Sequence, residues 1–302
     1  MGDYVNITDV TGRDGFQMEK DWIETQDKID VINSIVYSGV KRVEVTSFVS
    51  PNAIPQLKDA RQVIEKIQEN NIEIIALVPN MIGAENAIDA NVDGINVVIS
   101  ISETHNKKNI NKTVEESLLE IAEINRFAKK NNTAINIGLG TTFGCPYEGL
   151  YEVDKVVNVI KRLMEEGINN FNLADTTGMA NPLQITHFVN TVKSLFPDAQ
   201  FSLHLHNTRG LGVVNLYAGY KAGIRNFDAA LGGIGGCPFA PKATGNVCLE
   251  DIVHMFELMG VYTGIHTRKI IESAKKLEKV LGYKLHGQVM KSGLAVGTYK
   301  ND

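Results

Sequence analysis

The chain has 302 residues, of which 43% are hydrophobic and 22% are charged, and its formal net charge at pH 7 is -5. The mild acidity argues against a nucleic-acid partner, and no apolar run reaches membrane-spanning length. Its three cysteines, Cys145, Cys237 and Cys248, are too few and too scattered for a disulfide framework, so we expect a cytoplasmic protein without a membrane contact.

Segments with strand character alternate along the chain with segments of helical periodicity. The first strand is predicted at 4–10, and the helix at 24–37 that follows it has Ile29, Ile32, Ile35 and Val36 at helical spacing. Seven further strands are predicted, at 39–46, 72–78, 94–101, 134–141, 170–173, 200–205 and 225–230. The remaining helices are predicted at 55–70, 83–90, 114–130, 153–166, 182–195, 211–222, 246–259 and 268–281.

Eight strand-helix units spaced by about 30 residues are typical of repeated βαβ steps. Several strands, such as 74–78 and 95–99, are apolar on both faces, as parallel strands covered by helices are. The pattern predicts an α/β protein with a closed (β/α)8 TIM barrel, and a doubly wound open sheet is the alternative. We predict a TIM-barrel catalytic domain at 1–265 and a short C-terminal helical extension at 266–302, packed on the barrel.

Reactive groups of such barrels lie where strands end and the following loops begin. Polar residues fall at these positions after most of the predicted strands. They are Asp9, Arg13, Asp14, Glu44, Thr46, Asn136, Thr141, Thr142, Asp175, Thr177, His204, His206 and Asn246. Individually, Asp175, Thr177 and Asn246 could be helix caps. Together the set predicts one polar rim that carries the function.

A His-x-His pair at the end of the seventh strand is the centre of this rim. His204 and His206 are two residues apart, so along a strand they project from the same face. Two imidazoles with the oxygen ligands of Asp14 and Asn246 suit Mg²⁺ or Mn²⁺, whereas zinc is less suited because no cysteine cluster accompanies them. We therefore predict a divalent metal cofactor; the alternative is that one histidine packs in the core and the other lies in a loop.

A glycine-rich run follows the eighth strand at 232–236. It has neither the spacing nor the lysine of a nucleotide-binding loop. The run predicts a mobile loop that folds over substrate and delivers the thiol of Cys237 as an acid or base. Alternatively, Cys237 packs beneath Pro238 and Phe239.

Several segments resemble the hydroxymethylglutaryl-CoA lyase family. They are T-G-R-D-G-F-Q-M-E-K at 11–20, E-V-T-S-F-V-S-P at 44–51, F-G-C-P-Y-E-G at 143–149, A-D-T-T-G at 174–178, H-L-H at 204–206, G-G-C-P-F-A at 235–240 and T-G-N-V at 244–247. The resemblance runs in order from residue 5 to about residue 265.

The resemblance implies retro-Claisen cleavage of 3-hydroxy-3-methylglutaryl-CoA into acetyl-CoA and acetoacetate, the chemistry of leucine degradation. It implies that Asp14, His204, His206 and Asn246 bind the metal. Among the catalytic residues, Arg13 matches the arginine that steadies the substrate carbonyl and the developing enolate. The others are Glu44, Asp175 and the loop cysteine Cys237.

An acyl-CoA is the expected partner, and we expect a homo-oligomer, a dimer or larger. We further assign four residues to substrate binding: Gln17, Asn136, Thr177 and Arg209.

The chain departs from the family after the histidine pair. Animal-type lyases read H-x-H-D-T-Y-G, whereas residues 204–210 here read H-L-H-N-T-R-G. Arg209 could pair with a substrate carboxylate or a CoA phosphate, or lie on the surface. The departure keeps open a lyase for another branched 3-hydroxyacyl-CoA.

Three other functions are compatible with part of this pattern. A related acyl-CoA-dependent condensing enzyme usually has a longer C-terminal region. A biotin-dependent carboxyltransferase needs a metal-binding carbamylated lysine where this chain has Ala174. A non-enzymatic metal-binding module would not require the other polar residues around the metal.

Overall fold

A computed structural model describes residues 3–67, 71–236 and 245–295. Eight parallel strands form a closed barrel in the order β1 to β8, and β8 pairs with β1 to complete it. The strands are β1 (Asn6–Asp9), β2 (Arg42–Ser47), β3 (Glu73–Val78), β4 (Gly94–Ser100), β5 (Ala134–Gly140), β6 (Asn170–Asp175), β7 (Gln200–Leu205) and β8 (Asn226–Ala229). The predicted (β/α)8 TIM barrel is therefore confirmed.

Helices surround the barrel and cover its strands. They are α1 (Thr25–Tyr37), α2 (Ala60–Glu65), α3 (Met81–Asp89), α4 (Glu103–Ile110), α5 (Val114–Lys130), α6 (Val153–Glu165), α7 (Pro182–Leu195), α8 (Gly212–Lys221), α9 (Leu249–Leu258), α10 (Thr267–Leu281) and α11 (Val289–Ser292). Among the described residues, no helix is both long and apolar enough to cross a membrane.

The helices pack through one apolar face each. In α6 the buried positions are Val153, Val156, Val159, Ile160 and Leu163, which recur at the three- and four-residue spacing of one helix face. Burial of this stripe against the strands supplies most of the favourable free energy of the helix, because isolated helices of this length are marginal in water.

Two helix predictions were wrong in detail, and one helix was missed. The helix predicted at 55–70 is a 3₁₀ turn at Pro55–Leu57 followed by α2, and residues 68–70 lie outside the described residues. The helix predicted from Asn246 begins at Leu249, because Asn246 pairs with His206 in an isolated bridge. Helix α4 was not predicted, since it is short and polar, with Ser102 as its N-cap.

The chain after the barrel returns to it. Helix α10 packs on α1 and α9, and the amide of His286 donates to the carbonyl of Gly232 over 3.0 Å. The C-terminal helices thus lie against the turn Leu231–Gly233 that follows β8. The division of the chain at residue 265 remains a prediction.

A fully buried carboxyl group holds the same turn from the other side. Glu250, in the first turn of α9, accepts a hydrogen bond of 3.0 Å from the amide of Gly232. Burial raises the pKa of Glu250 from 4.5 to about 8, although the bond from Gly232 opposes the shift. The folded protein therefore binds this proton at neutral pH, whereas the unfolded chain has released it.

Replacement of Glu250 by glutamine is expected to remove a pH-dependent loss of stability. Because the unfolded carboxyl releases its proton near pH 4.5 and the folded one near pH 8, the free energy of unfolding of the wild type falls as pH rises through this window. In denaturant titrations from pH 5 to 8.5, the free energy of unfolding of Glu250→Gln should rise relative to that of the wild type by a few kcal/mol. This size follows from about 1.4 kcal/mol per unit of pKa shift. The exposed Glu272→Gln is the control, and a wild-type-to-variant difference that is constant with pH would contradict the assignment.

Candidate active site

A cavity of about 200 Å³ opens at the carboxyl ends of the strands. One part of its wall is apolar and the other is polar, as is usual for small-molecule sites. The apolar part includes Val49, Ile54, Leu77, Val78 and Val98. The polar part includes Arg13, Asp14, Gln17, Glu44, Asn96, Asn136, Asn172, His204, His206 and Asp228.

The turn after β1 supplies Arg13 and Asp14. It is a single π-helical turn, Thr11–Gly15, which begins where the carboxylate of Asp9 accepts from the amide and hydroxyl of Thr11. Gly12 allows the turn to touch β2, since a Cβ at this position would lie 2.5 Å from the carbonyl oxygen of Val45. A π-turn of this kind often marks a functional site, because it re-aims side chains within one turn.

Arg13 lies between two carboxylates. Its Nε donates to Glu44 Oε2 over 2.6 Å and its Nη1 donates to Asp14 Oδ1. Burial alone would lower the pKa of Arg13, but Glu44 and Asp14 raise it well above its usual range. The guanidinium therefore keeps its charge although it is largely buried.

The strand β2 carries an irregularity at this place. Its register against β3 shifts between Glu44 and Thr46, and bulges next to active sites commonly re-aim one side chain. Glu44 faces the cavity and accepts from Arg13 and from Asn96 Nδ2, the latter over 2.6 Å.

The two histidines meet Asp14 on the other side of the cavity. Their Nε2 atoms are 3.0 Å apart, and His206 Nε2 lies 3.7 Å from Asp14 Oδ2. One donor atom from each of these three buried residues falls within 4.8 Å of the others, a spacing that fits one metal ion.

Asn246 completes this cluster. Its Nδ2 donates to Asp14 Oδ2 over 2.6 Å and to the carbonyl of Ile234 over 2.9 Å. Its Oδ1 is buried and has no hydrogen-bond partner among the described residues. Gly235 lets the backbone pass this group, since a Cβ there would lie 2.5 Å from both Asp14 Oδ2 and Asn246 Nδ2.

The charges of the cluster also suit a cation. Burial and the neighbouring His204 lower the pKa of His206 to about 4, so this imidazole is a neutral donor near pH 7. Burial would raise the pKa of Asp14, but Arg13 and the two imidazoles hold it below its ordinary value. A carboxylate, two imidazoles and a buried amide oxygen form a mixed nitrogen and oxygen donor set that fits a divalent metal cation.

Two support networks include residues that the sequence analysis missed. Asn136 Nδ2 donates to Asn96 Oδ1 over 2.8 Å, and Asn96 in turn donates to Glu44. On the opposite wall, Asp228 Oδ2 lies 3.1 Å from His204 Nδ1 and accepts from Asn172 Nδ2 over 2.7 Å. The alternation of side chains along the strands could have identified these residues. Polar side chains that face the inside of the barrel have few roles other than support of the site.

Asp175, which was predicted to be catalytic, is not among the described residues that line the cavity. Its neighbours Ala174 and Thr176 line the cavity, and alternation along β6 turns Asp175 away from it. Its two carboxylate oxygens accept from the amides of Met179 and Ala180, over 2.8 and 3.1 Å. Burial raises its pKa to about 6 despite these bonds. The residue shapes the loop after β6, and its catalytic role stays a prediction.

The predicted substrate-binding residues Thr177 and Arg209 are likewise absent from the cavity lining of the described chain. Arg209 Nη1 donates to the carbonyls of Thr177 and Gly178 and so joins the loops after β6 and β7. Asn207 Oδ1 accepts from the amide of Gly212 over 2.9 Å, which caps α8. In the described part of the chain the family departure at Asn207 and Arg209 therefore stabilises loops, and substrate binding by Arg209 stays a prediction.

The other predicted site residues meet in one place. Arg13, Asp14, Gln17, Glu44, Asn136, His204 and His206 line the cavity, and Asn246 contacts Asp14 directly. Gln17 Nε2 also donates to Asp14 Oδ1 over 3.0 Å. Cys237 lies outside the described residues. A charged guanidinium beside a cation site suits the stabilisation of negative charge that develops on a substrate oxygen.

Comparisons with known proteins agree on one family. The sequence model described as HMGL-like matches residues 4–277. The hydroxymethylglutaryl-CoA lyase of Bacillus subtilis is 42% identical over 292 residues, which are 95% of this chain and 98% of that protein. The (R)-citramalyl-CoA lyase of Chloroflexus aurantiacus is 37% identical over 300 residues, with 96% and 95% covered.

A solved structure gives the same result at the level of the fold. An HMG-CoA lyase from Acinetobacter baumannii, in complex with coenzyme A and 3-methylmalate, superposes with a TM-score of 0.95. It is 43% identical, and the match covers 98% of this chain and 97% of that one.

Proposed function

The chain belongs to the HMGL-like family, and from that premise we propose that it is a hydroxymethylglutaryl-CoA lyase. The reaction cleaves 3-hydroxy-3-methylglutaryl-CoA into acetyl-CoA and acetoacetate. The observation that carries the proposal is the single cavity in which the Arg13 guanidinium lies beside the three-residue cluster Asp14, His204 and His206.

The bond changes set what the site must do. The C3 hydroxyl loses its proton and its C–O bond becomes the ketone, while the electron pair of the C2–C3 bond passes to the thioester. The resulting thioester enolate takes a proton at C2 and leaves as acetyl-CoA. Negative charge therefore moves from the hydroxyl oxygen to the thioester oxygen, and both must be stabilised.

The cavity residues match these two demands. Asp14, His204, His206 and Asn246 would hold a divalent cation, and when bound it would supply a Lewis acid to the C3 hydroxyl oxygen, which becomes the ketone oxygen. Arg13 Nη atoms would donate to the thioester oxygen as it gains charge, and Glu44 keeps the guanidinium in place through its Nε bond.

The remaining assignments follow the chemistry of the substrate. Gln17 and Asn136 offer amide groups on the cavity wall to the substrate carboxylate. The Cys237 thiol would protonate the enolate from the glycine-rich segment after β8. Mg²⁺ or Mn²⁺ as the cofactor, a homo-oligomeric state, a cytoplasmic location and a role in leucine degradation complete the proposal.

A direct assay tests the reaction. The protein with Mg²⁺ is incubated with 3-hydroxy-3-methylglutaryl-CoA and, separately, with (R)-citramalyl-CoA, and acetyl-CoA, acetoacetate and pyruvate are measured. We expect kcat/KM to be highest for 3-hydroxy-3-methylglutaryl-CoA, since the loop residues that depart from the family lie away from the cavity.

The second candidate is cleavage of citramalyl-CoA, which the 37% identical relative favours. Faster release of pyruvate than of acetoacetate would replace the proposal with this function. Release of neither keto acid from either thioester would reject both.

A further inference from the structure

We propose that Asp228 is a positioning residue, which fixes the tautomer and ring orientation of His204 so that His204 Nε2 presents its lone pair to the cation. The inference rests on the metal site proposed above and adds to it a residue outside the ligand set. A metal-binding histidine commonly donates a hydrogen bond from its other ring N–H group to a carboxylate. Loss of that carboxylate usually weakens metal binding by about 10- to 100-fold.

The barrel register brings the two side chains together. His204 on β7 and Asp228 on β8 are direct partners in the parallel ladder. Both are buried, with 7% of each residue exposed, and both line the cavity. The pair is thus a product of the strand pairing and does not depend on a loop.

The chemistry of the acceptor decides which nitrogen carries the proton. Asp228 Oδ2 lies 3.1 Å from His204 Nδ1, and an ionised carboxylate only accepts hydrogen bonds. In the neutral ring Nδ1 therefore holds the hydrogen, and Nε2, on the other side of the ring, is left with a lone pair. That atom lies 3.0 Å from His206 Nε2, within the cluster that includes Asp14.

A second group orients the carboxylate itself. Asn172 on β6 donates through Nδ2 to Asp228 Oδ2 over 2.7 Å. This bond also fixes which way the side-chain amide of Asn172 points, because a carboxylate cannot donate a hydrogen bond to Asn172 Oδ1. Three adjacent strands, β6, β7 and β8, thus each contribute one side chain to a chain of hydrogen bonds that ends at the cation site.

The first experiment reads the tautomer without a metal or a substrate. Metal-free protein labelled with ¹⁵N-histidine is examined by NMR at pH 9, and the His204 signals are assigned by their loss in His204→Gln. We expect the shift of a protonated nitrogen at Nδ1 and of an unprotonated nitrogen at Nε2. A proton on Nε2 in the wild type would overturn the proposal, and this measurement requires no variant of Asp228.

The second experiment measures Mn²⁺ binding by calorimetry. Asp228→Asn should raise the Kd for Mn²⁺ by about 10- to 100-fold and give a mixture of His204 tautomers. Asn226→Ala is the matched control, because Asn226 lies on the same strand and accepts from Asn6 at the other end of the barrel. A Kd for Asp228→Asn within threefold of the wild type, in a protein with native circular dichroism, would contradict the role.

The outcomes separate this inference from the proposed function. If the wild type binds no Mn²⁺, the proposed metal site fails, and the tautomer of His204 still decides the role of Asp228. If Asp228→Asn does not fold, Asn172→Ala replaces it. That variant loosens the same carboxylate, and we expect it to raise the Kd for Mn²⁺ by about tenfold or less; a Kd equal to that of the wild type would count against the proposal.

Discussion

Arg13→Gln is expected to lower kcat for the cleavage of 3-hydroxy-3-methylglutaryl-CoA by about 10²- to 10³-fold, with a smaller change in KM. Removal of one preorganised donor to a developing oxyanion has a cost of this size, which corresponds to about 3–4 kcal/mol in the barrier. Among the described residues that line the cavity, Arg13 carries the only guanidinium or ammonium group. No neighbour on that wall can therefore replace its charge.

The control for Arg13 lies on β2, at the opposite end of the barrel. Arg42 pairs with Glu73 at 3.3 Å and is more than one third exposed, so Arg42→Gln should leave kcat unchanged. Both variants are assayed at saturating metal, with Mn²⁺ affinity measured in parallel. A kcat for Arg13→Gln within tenfold of the wild type would show that the guanidinium does not act on the transition state.

Removal of the metal is expected to abolish activity. Treatment with EDTA followed by desalting should reduce turnover by at least about 10³-fold, because loss of a Lewis acid withdraws several kcal/mol of charge stabilisation. Added Mg²⁺ or Mn²⁺ should restore it. Activity that persists after verified removal of metal would reject the metal-assisted mechanism.

The variant His206→Ala tests the same site within the protein. We expect it to bind Mn²⁺ far more weakly and to be inactive at metal concentrations that saturate the wild type, since the proposed set of four donors is reduced to three and loses one of its two imidazoles. His187→Ala on the exposed face of α7 is the matched control and should retain both properties. Equal Mn²⁺ affinity in His206→Ala and the wild type would exclude His206 as a ligand.

The barrel could be predicted because its physical signals are repeated. Strands covered by helices, such as β3, are largely apolar, and helices such as α6 show one apolar stripe. Helix α4 escaped prediction because its sequence, E-T-H-N-K-K-N-I, has no apolar stripe. The π-turn after β1 escaped because its form depends on contact between Gly12 and β2, which local sequence does not encode.

Site residues could be predicted where a side chain suited to chemistry falls at the end of a predicted strand. The convergence of Arg13, Asp14, Glu44 and the two histidines follows from the rule that barrel chemistry lies at the carboxyl ends of strands. Asp175 also satisfies that rule but has the wrong parity, since Ala174 and Thr176 occupy the inward positions of β6. Asp228 lies at an inward position of β8, but its role depends on His204, its partner on the neighbouring strand β7.

The cavity wall takes residues from both halves of the barrel. Strand β2 and the turn after β1 contribute the guanidinium and its two carboxylates, whereas β7 and the residue directly after it contribute the two imidazoles. A half-barrel that ended after β4 would have the guanidinium and its carboxylates without the imidazoles. The other half would have the imidazoles alone. Grafting a single loop onto another scaffold would therefore not transfer this chemistry.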